Sequence, residues 1–171
     1  LLLSLRGTPF LYAGEELGLE DAEIPAARVV DPGGRDGCRA PIPWERTAPH
    51  GWRGAEPWLP FAADAGARSV EAQREDPGSM LALYRRVLAA RRASPALRWG
   101  AQRLLNAPPG VLAFERTAGA DRRIVLVSFA DRAVRVDVAG EVVVATDGGD
   151  EGMAFAGELA PDTAVLLRPG A

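Results

Sequence analysis

The chain has 171 residues, 47% hydrophobic and 25% charged, which is enough apolar material to bury a core in one domain or two small ones. Its net charge of −3 gives no case for a nucleic-acid or membrane-surface partner. Cys38 is the only cysteine, which excludes an intrachain disulfide framework and fits a cytoplasmic protein.

Leu1-Leu2-Leu3-Ser4-Leu5 lacks the basic start and the length of a secretory apolar region. It reads as the end of a helix whose beginning is missing, closed near Gly7. No segment reaches the roughly 20 apolar residues of a membrane span. Phe10-Leu11-Tyr12 is a continuous apolar run, broken before by Gly7 and Pro9 and after by Gly14, and predicts one short buried strand. A strand apolar on both faces belongs in a parallel sheet, and this chain supplies no parallel neighbours for it. The expectation is a C-terminal piece of something larger. Glu15-Glu16-Leu17 predicts one helical turn after the strand.

Residues 18–67 are dense in Pro and Gly and hold Trp44, Trp52 and Trp58. A loop this long with that much aromatic surface reads as an ordered lid or binding loop. A helix is expected over residues 77–93, with Asp76 at the N-cap and Pro77 at the first helical position. Met80, Leu83, Tyr84, Val87 and Leu88 form its apolar stripe and are expected in the core. Ser94-Pro95 stops it.

From about residue 100 the period changes to two. Strands are expected at 101–106, 111–116, 123–129, 134–138, 141–145, 153–159 and 163–168, separated by Gly, Pro and Asp turns. Short strands of this kind predict an antiparallel sandwich or curled sheet.

Paired acids at Glu15 and Glu16 suggest glycoside hydrolysis, which needs two carboxylates about 5–5.5 Å or 6.5–9.5 Å apart. Neighbours in an extended chain point to opposite sides, so a role tying the turn to nearby backbone is the stronger reading. Arg35 and Arg39 offer planar donor forks for carboxylates or sugar hydroxyls, with Asp36 between them as an Arg-paired carboxylate. The competing reading is a loop pinned by its own Arg–Asp pairs. The three tryptophans could stack on sugars, or simply pack the loop. His50 is expected to be an exposed loop residue. Cys38 has no histidine partner to make it a nucleophile, no zinc or EF-hand spacing occurs, and Gly148-Gly149 reads as a turn. No cofactor and no metal are expected.

Gly7-x-Pro9-x-x-Tyr12-x-Gly14-x-Glu16 resembles the eighth-strand motif of the α-amylase superfamily, glycoside hydrolase family 13. Arg35-Asp36-Gly37-Cys38-Arg39-x-Pro41-x-x-Trp44 resembles the following loop in the α-glucosidase and oligo-1,6-glucosidase branch. Pro57-Trp58-Leu59-Pro60 and the helix around Leu83-Tyr84-Arg85 are similar to that branch too. The resemblance implies an α/β plus all-β chain. Residues 1–98 are then the last β/α unit of a (β/α)8 barrel with its long loop, and residues 99–171 an antiparallel β-sandwich C-terminal domain. It implies a retaining mechanism with an Asp nucleophile, a Glu acid/base and a second Asp. In the family these lie on strands four, five and seven, so no catalytic role falls on an acid of this chain. What it carries over is Glu16 anchoring the strand-eight turn. Arg35, Asp36 and Arg39 become the rim of the glucose pocket, and Trp44 and Trp58 loop packing residues. Ala13 departs from the larger residue of many relatives.

The leading expectation is therefore part of an α-glucosidase acting on α-glucosides or α-linked oligosaccharides, inactive by itself and prone to self-associate. Alternatives are a carbohydrate-binding β-sandwich module, a non-catalytic family member, or a transglycosylase such as a trehalose synthase.

Overall fold

The computed structural model describes residues 1–54 and 56–170. They form two compact units: Leu1–Phe10 with the chain from Arg85 onward, and Leu11–Tyr84.

The first unit is built on strands β1 (Ala101–Leu104), β2 (Val111–Ala118), β3 (Asp121–Ser128), β4 (Val134–Arg135), β5 (Glu141–Ala145), β6 (Glu158–Leu159) and β7 (Ala164–Arg168). Five of them make one antiparallel sheet in the order β1-β2-β3-β7-β5, and β4 pairs with β6. The expected antiparallel strands are present. Two contract sharply, 134–138 to Val134–Arg135 and 153–159 to Glu158–Leu159 with an isolated Glu141–Ala154 bridge, while 101–106 and 163–168 lose one or two residues, to Ala101–Leu104 and Ala164–Arg168. β3 explains its own unbroken apolar run. It lies between β2 and β7, and Ile124, Val125, Leu126 and Val127 are all buried. Ala113, Ile124, Leu126, Val142, Leu159 and Leu167 form the core cluster on one face.

Among the described residues three α-helices are present: α1 (Val70–Arg74), α2 (Met80–Ala93) and α3 (Pro95–Trp99). The short α1 and α3 have no periodic pattern long enough to announce them. Each is set by a serine N-cap, Ser69 accepting from the Ala72 amide and Ser94 from the Leu97 amide. α2 starts three residues later than expected. The Asp76 carboxylate accepts from the Gly78 amide in a turn of its own, leaving the Ser79 hydroxyl to accept from Ala82 at 3.1 Å. No residue of α2 is buried, and Met80 is 42% exposed. Its stripe is an incompletely covered face rather than core.

The N-terminal helix reduces to one 3-10 turn, Leu2–Ser4, with Leu5 already extended. The strand expected through Phe10-Leu11-Tyr12 does not form. Pairing is what makes a strand, and no described residue pairs with this run. Phe10 is 84% exposed as a result.

β2 also buries two charges that composition did not announce. Glu115 is held by Arg103 at 3.0 Å and Arg122 at 2.6 Å. Arg116, wholly buried, donates to the carbonyls of Ser4 (2.6 Å) and Gly100 (3.1 Å). Arg91 donates to the carbonyls of Leu3 and Gly7, both at 2.8 Å. These two arginines fasten the first residues to the sheet unit. Among the described residues no helix is long and apolar enough to cross a membrane.

Candidate functional site

The site is built within the unit Leu11–Tyr84. Its first part is the turn after Tyr12. Gly14 has φ +105°, and a Cβ there would stand 3.0 Å from Leu19 Cδ1, so this turn needs glycine. The next residues form the expected helical turn, a 3-10 turn over Glu15–Leu17. Glu16 reaches back and its Oε2 accepts from the Gly14 amide at 2.9 Å. The glutamate thus ties the turn, as the spacing argument favoured. Leu17 is buried beneath it at 1% exposure, and the Gln73 side-chain amide donates to its carbonyl at 2.8 Å. Burial, then the charges of Glu15 and Glu16, push the Tyr84 hydroxyl above its ordinary pKa. Arg68 closes the turn from the other side through Asp64, the Gly18 carbonyl and Glu20.

The second part is the arginine loop. Its organising acid is Asp31, not Asp36. Arg35 grips the Asp31 carboxylate with two parallel bonds of 2.7 and 2.8 Å, and its amide adds a third at 2.9 Å. Arg39 lies 3.8 Å from the same carboxylate. The Arg35 fork, followed by the Arg35 amide, holds the Asp31 carboxyl far below the usual carboxylate range, against the opposing effect of burial. Asp36 is not paired with arginine. Its Oδ2 accepts from the amides of Val30 (2.8 Å) and Asp31 (2.9 Å), and its Oδ1, buried, has no partner among the described residues. Arg35, Asp36 and Arg39 are therefore brought together around Asp31. Glu16 makes its contact inside its own turn and does not join them.

A cavity of about 200 Å³ connects the two parts, lined by Tyr12, Gly14, Glu15, Asp21, Cys38 and Ala40. Glu15 and Asp21 supply carboxylate acceptors to it and Tyr12 an aromatic wall, a set suited to a polyhydroxyl ligand. The spacing of the paired acids makes Glu16 the anchor of the turn, and the cavity is lined by Glu15 and by Asp21, which no motif marks. A signal did exist, since of two adjacent acids only one can turn back to the chain. Among the described residues no cluster of His, Cys, Asp and Glu could hold a metal ion.

The tryptophans divide. Trp52 is half-buried, its indole N–H donating to the Ile42 carbonyl at 2.8 Å. Trp44 and Trp58 are 54% and 58% exposed, so they are not the packing residues expected. His50 is half-buried rather than exposed, its ring edge-on to Phe61 at 4.7 Å and Nδ1 3.0 Å from the Glu45 carbonyl. Cys38 is exposed, its thiol toward the Arg35 carbonyl.

Comparison with known proteins identifies the family. The family model for the catalytic domain of α-amylase matches residues 1–100. A probable alpha-glucosidase of Rhizobium meliloti is 40% identical over 142 residues, covering 78% of this chain and 26% of that protein. A trehalose synthase/amylase of Mycobacterium tuberculosis is also 40% identical, over 71% of this chain and 20% of its own length. Among solved structures, an alpha-glucosyl transfer enzyme superposes with a TM-score of 0.82 at 34% identity, covering 99% of this chain and 34% of that one. The trehalulose synthase of Pseudomonas mesoacidophila shares the fold, with a TM-score of 0.86 at 22% identity over 99% of this chain and 37% of its own. The chain belongs to the α-amylase family, glycoside hydrolase family 13. It spans about a quarter of the length of the curated relatives it matches.

Proposed function

We propose that this chain is the C-terminal part of a retaining α-glucosidase-like glycoside hydrolase that releases glucose from α-glucosides. In this reading residues 1–98 complete a (β/α)8 barrel and residues 99–171 form its C-terminal β domain; the family match ending at residue 100 supports the division. The nucleophile, the acid/base and the third carboxylate then come from barrel strands outside these residues, and the protein works in the cytosol without a cofactor.

The observation that carries the reading is the internal satisfaction of the motif residues. Glu16 is committed to the Gly14 amide, Asp36 to two loop amides, and Arg35 and Arg39 to Asp31. Groups so committed shape a wall; a general acid needs a free face toward the bond it protonates. Glu15 and Asp21 remain to meet substrate hydroxyls. A second reading, glucosyl transfer to an acceptor sugar, is favoured by the 34% identical transfer enzyme and the 40% identical trehalose synthase/amylase.

The chain alone, incubated with an aryl α-glucoside, is expected to release no phenol; turnover above the blank overturns the placement of catalysis elsewhere. Grafted in place of the matching segment of the Rhizobium meliloti protein, it is expected to give an active enzyme. A folded but inactive chimera counts against the reading. Glucose alone among the products marks hydrolysis, and a new disaccharide marks transfer.

A further inference from the structure

A second concentration of arginine lies within the unit of Leu1–Phe10 and the chain from Arg85 onward. An open cleft of about 400 Å³ is lined there by Arg6, Gly7, Pro9, Arg91, Arg98 and Trp99. At ~30 Å³ per water, it has room for an organic group as well as an oxyanion.

The charge in this cleft is unbalanced. Arg6, Arg91 and Arg98 line one cleft, and among the described residues no carboxylate pairs with them or with Arg116. Arg91 spends donors on the carbonyls of Leu3, Leu5 and Gly7. Arg98 lies over the Trp99 ring at 4.5 Å, and that ring is 62% exposed. Behind them Arg116 is fully buried, and its Nε has no hydrogen-bond partner among the described residues. Burial, then the nearby charges of Arg91 and Arg6, push its guanidinium below its ordinary pKa. Burying a cation beside other cations with no anion is costly. A dianion in the cleft would relieve that cost. Planar guanidinium forks match phosphate oxygens two at a time, and Trp99 and Pro9 supply apolar walls for whatever the phosphate carries.

We propose that this cleft is a phosphate-binding site for phosphate monoesters, with Arg6 and Arg98 contacting the oxyanion and Arg91 and Arg116 supplying fixed positive charge behind it. The proposal goes beyond the reading of the chain as a glycosidase segment, in which Gly7 and Pro9 belong to the eighth-strand motif, and it is tested on the chain itself.

Titration calorimetry of the whole chain at low salt tests it, with inorganic phosphate, glucose 6-phosphate and neutral glucose as three arms. Both phosphates are expected to bind with Kd below about 10 mM, and glucose to give no heat. Tighter binding of the ester assigns the site to phosphorylated sugars; equal binding assigns it to the phosphate group alone. Arg6→Gln and Arg98→Gln are each expected to weaken binding about three- to tenfold, and Arg→Lys at the same positions to restore part of the loss. Both side chains are exposed, so the melting temperature is expected to stay unchanged. No heat with either phosphate, binding undiminished in the double variant, or glucose binding as well as its phosphate would each overturn the proposal.

Discussion

Asp31 organises the arginine loop more than any residue inside the motif that drew attention to it. Four interactions converge on its carboxylate and backbone: the two-pronged Arg35 fork, the Arg35 amide, Arg39, and Asp36 on its own amide. Its folded pKa is depressed, so its contribution to stability is present above the unfolded value of about 3.9 and is lost as pH falls toward the folded one. Thermal melts of the native chain and Asp31→Asn are thus expected to differ most at pH 7, with the difference shrinking progressively as pH falls below about 4. A difference that persists unchanged at pH 2 would mean that the charge is not what matters. Glu115 behaves alike: Arg122 foremost and Arg103 beside it hold its carboxyl below the ordinary range, against the opposing effect of burial. Because both arginines are more than half exposed, Glu115→Ala is expected to cost about 1–2 kcal/mol in chemical denaturation rather than the larger loss of a wholly buried pair. The Arg–Asp pinning of the loop was legible in the sequence, but the particular aspartate was not. Asp31 lies outside the recognised motif, and only the four-residue spacing to Arg35 could have pointed to it.

At the scale of elements, the junction from α2 through α3 into β1 is the most tightly determined. The Ser94 hydroxyl caps α3 and donates to Asp121, whose carboxylate also accepts from the Ala96 amide and pairs with Arg123 at 2.6 Å. Ser94→Ala is expected to cost about 1–2 kcal/mol, read by urea denaturation. Gly100 sits where two backbones meet; a Cβ there would come 2.5 Å from the carbonyl oxygens of both Ala96 and Thr117. Gly100→Ala is accordingly expected to lose about 1–3 kcal/mol through overpacking. An unchanged melting temperature would show that the two backbones can part. The strands of the sheet are readable because short runs rich in Val, Ile and Leu stand between Gly, Pro and Asp turns. α1 and α3 are not, since five residues complete barely more than a turn and their serine caps resemble ordinary loop serines. The Phe10 run is apolar, as its residues dictate, but it is not a strand. Apolar character is a property of the residues, whereas strand pairing belongs to a neighbour.

For the whole molecule, exposed apolar side chains are the dominant surface fact. Phe10 (84%), Leu104 (67%), Met153 (64%) and Phe129 (63%) all face solvent. Exposed apolar surface favours association, so light scattering at rising concentration is expected to show oligomers, and a hydrophobic dye to fluoresce with the chain. A monodisperse monomer that leaves the dye dark would count against this. Phe10→Ser is expected to lower the association without lowering the melting temperature, since Phe10 contributes no buried contact. The family was legible from two motifs taken jointly, because each places unlike residues at fixed spacings. The cluster of arginines at the cleft is invisible in the sequence, because Arg6 lies far along the chain from Arg91, Arg98 and Arg116 and meets them only after folding.

The order β1-β2-β3-β7-β5 sets a timetable. The hairpins from β1 to β3 can close as soon as residue 128 has left the ribosome, because Ala118 and Asp121 already face each other across a two-residue turn. β5, the next strand of this sheet to be made, has no place beside β3. Its ladder partner is β7, and β7 must slot between the two. Until residues 164–168 are synthesised, β3 presents a bare hydrogen-bonding edge made of Ile124-Val125-Leu126-Val127, the kind of edge that recruits other chains. Translation that slows between β5 and β7 would lengthen this vulnerable interval, so the yield of folded protein should depend on how quickly the ribosome delivers the final strand.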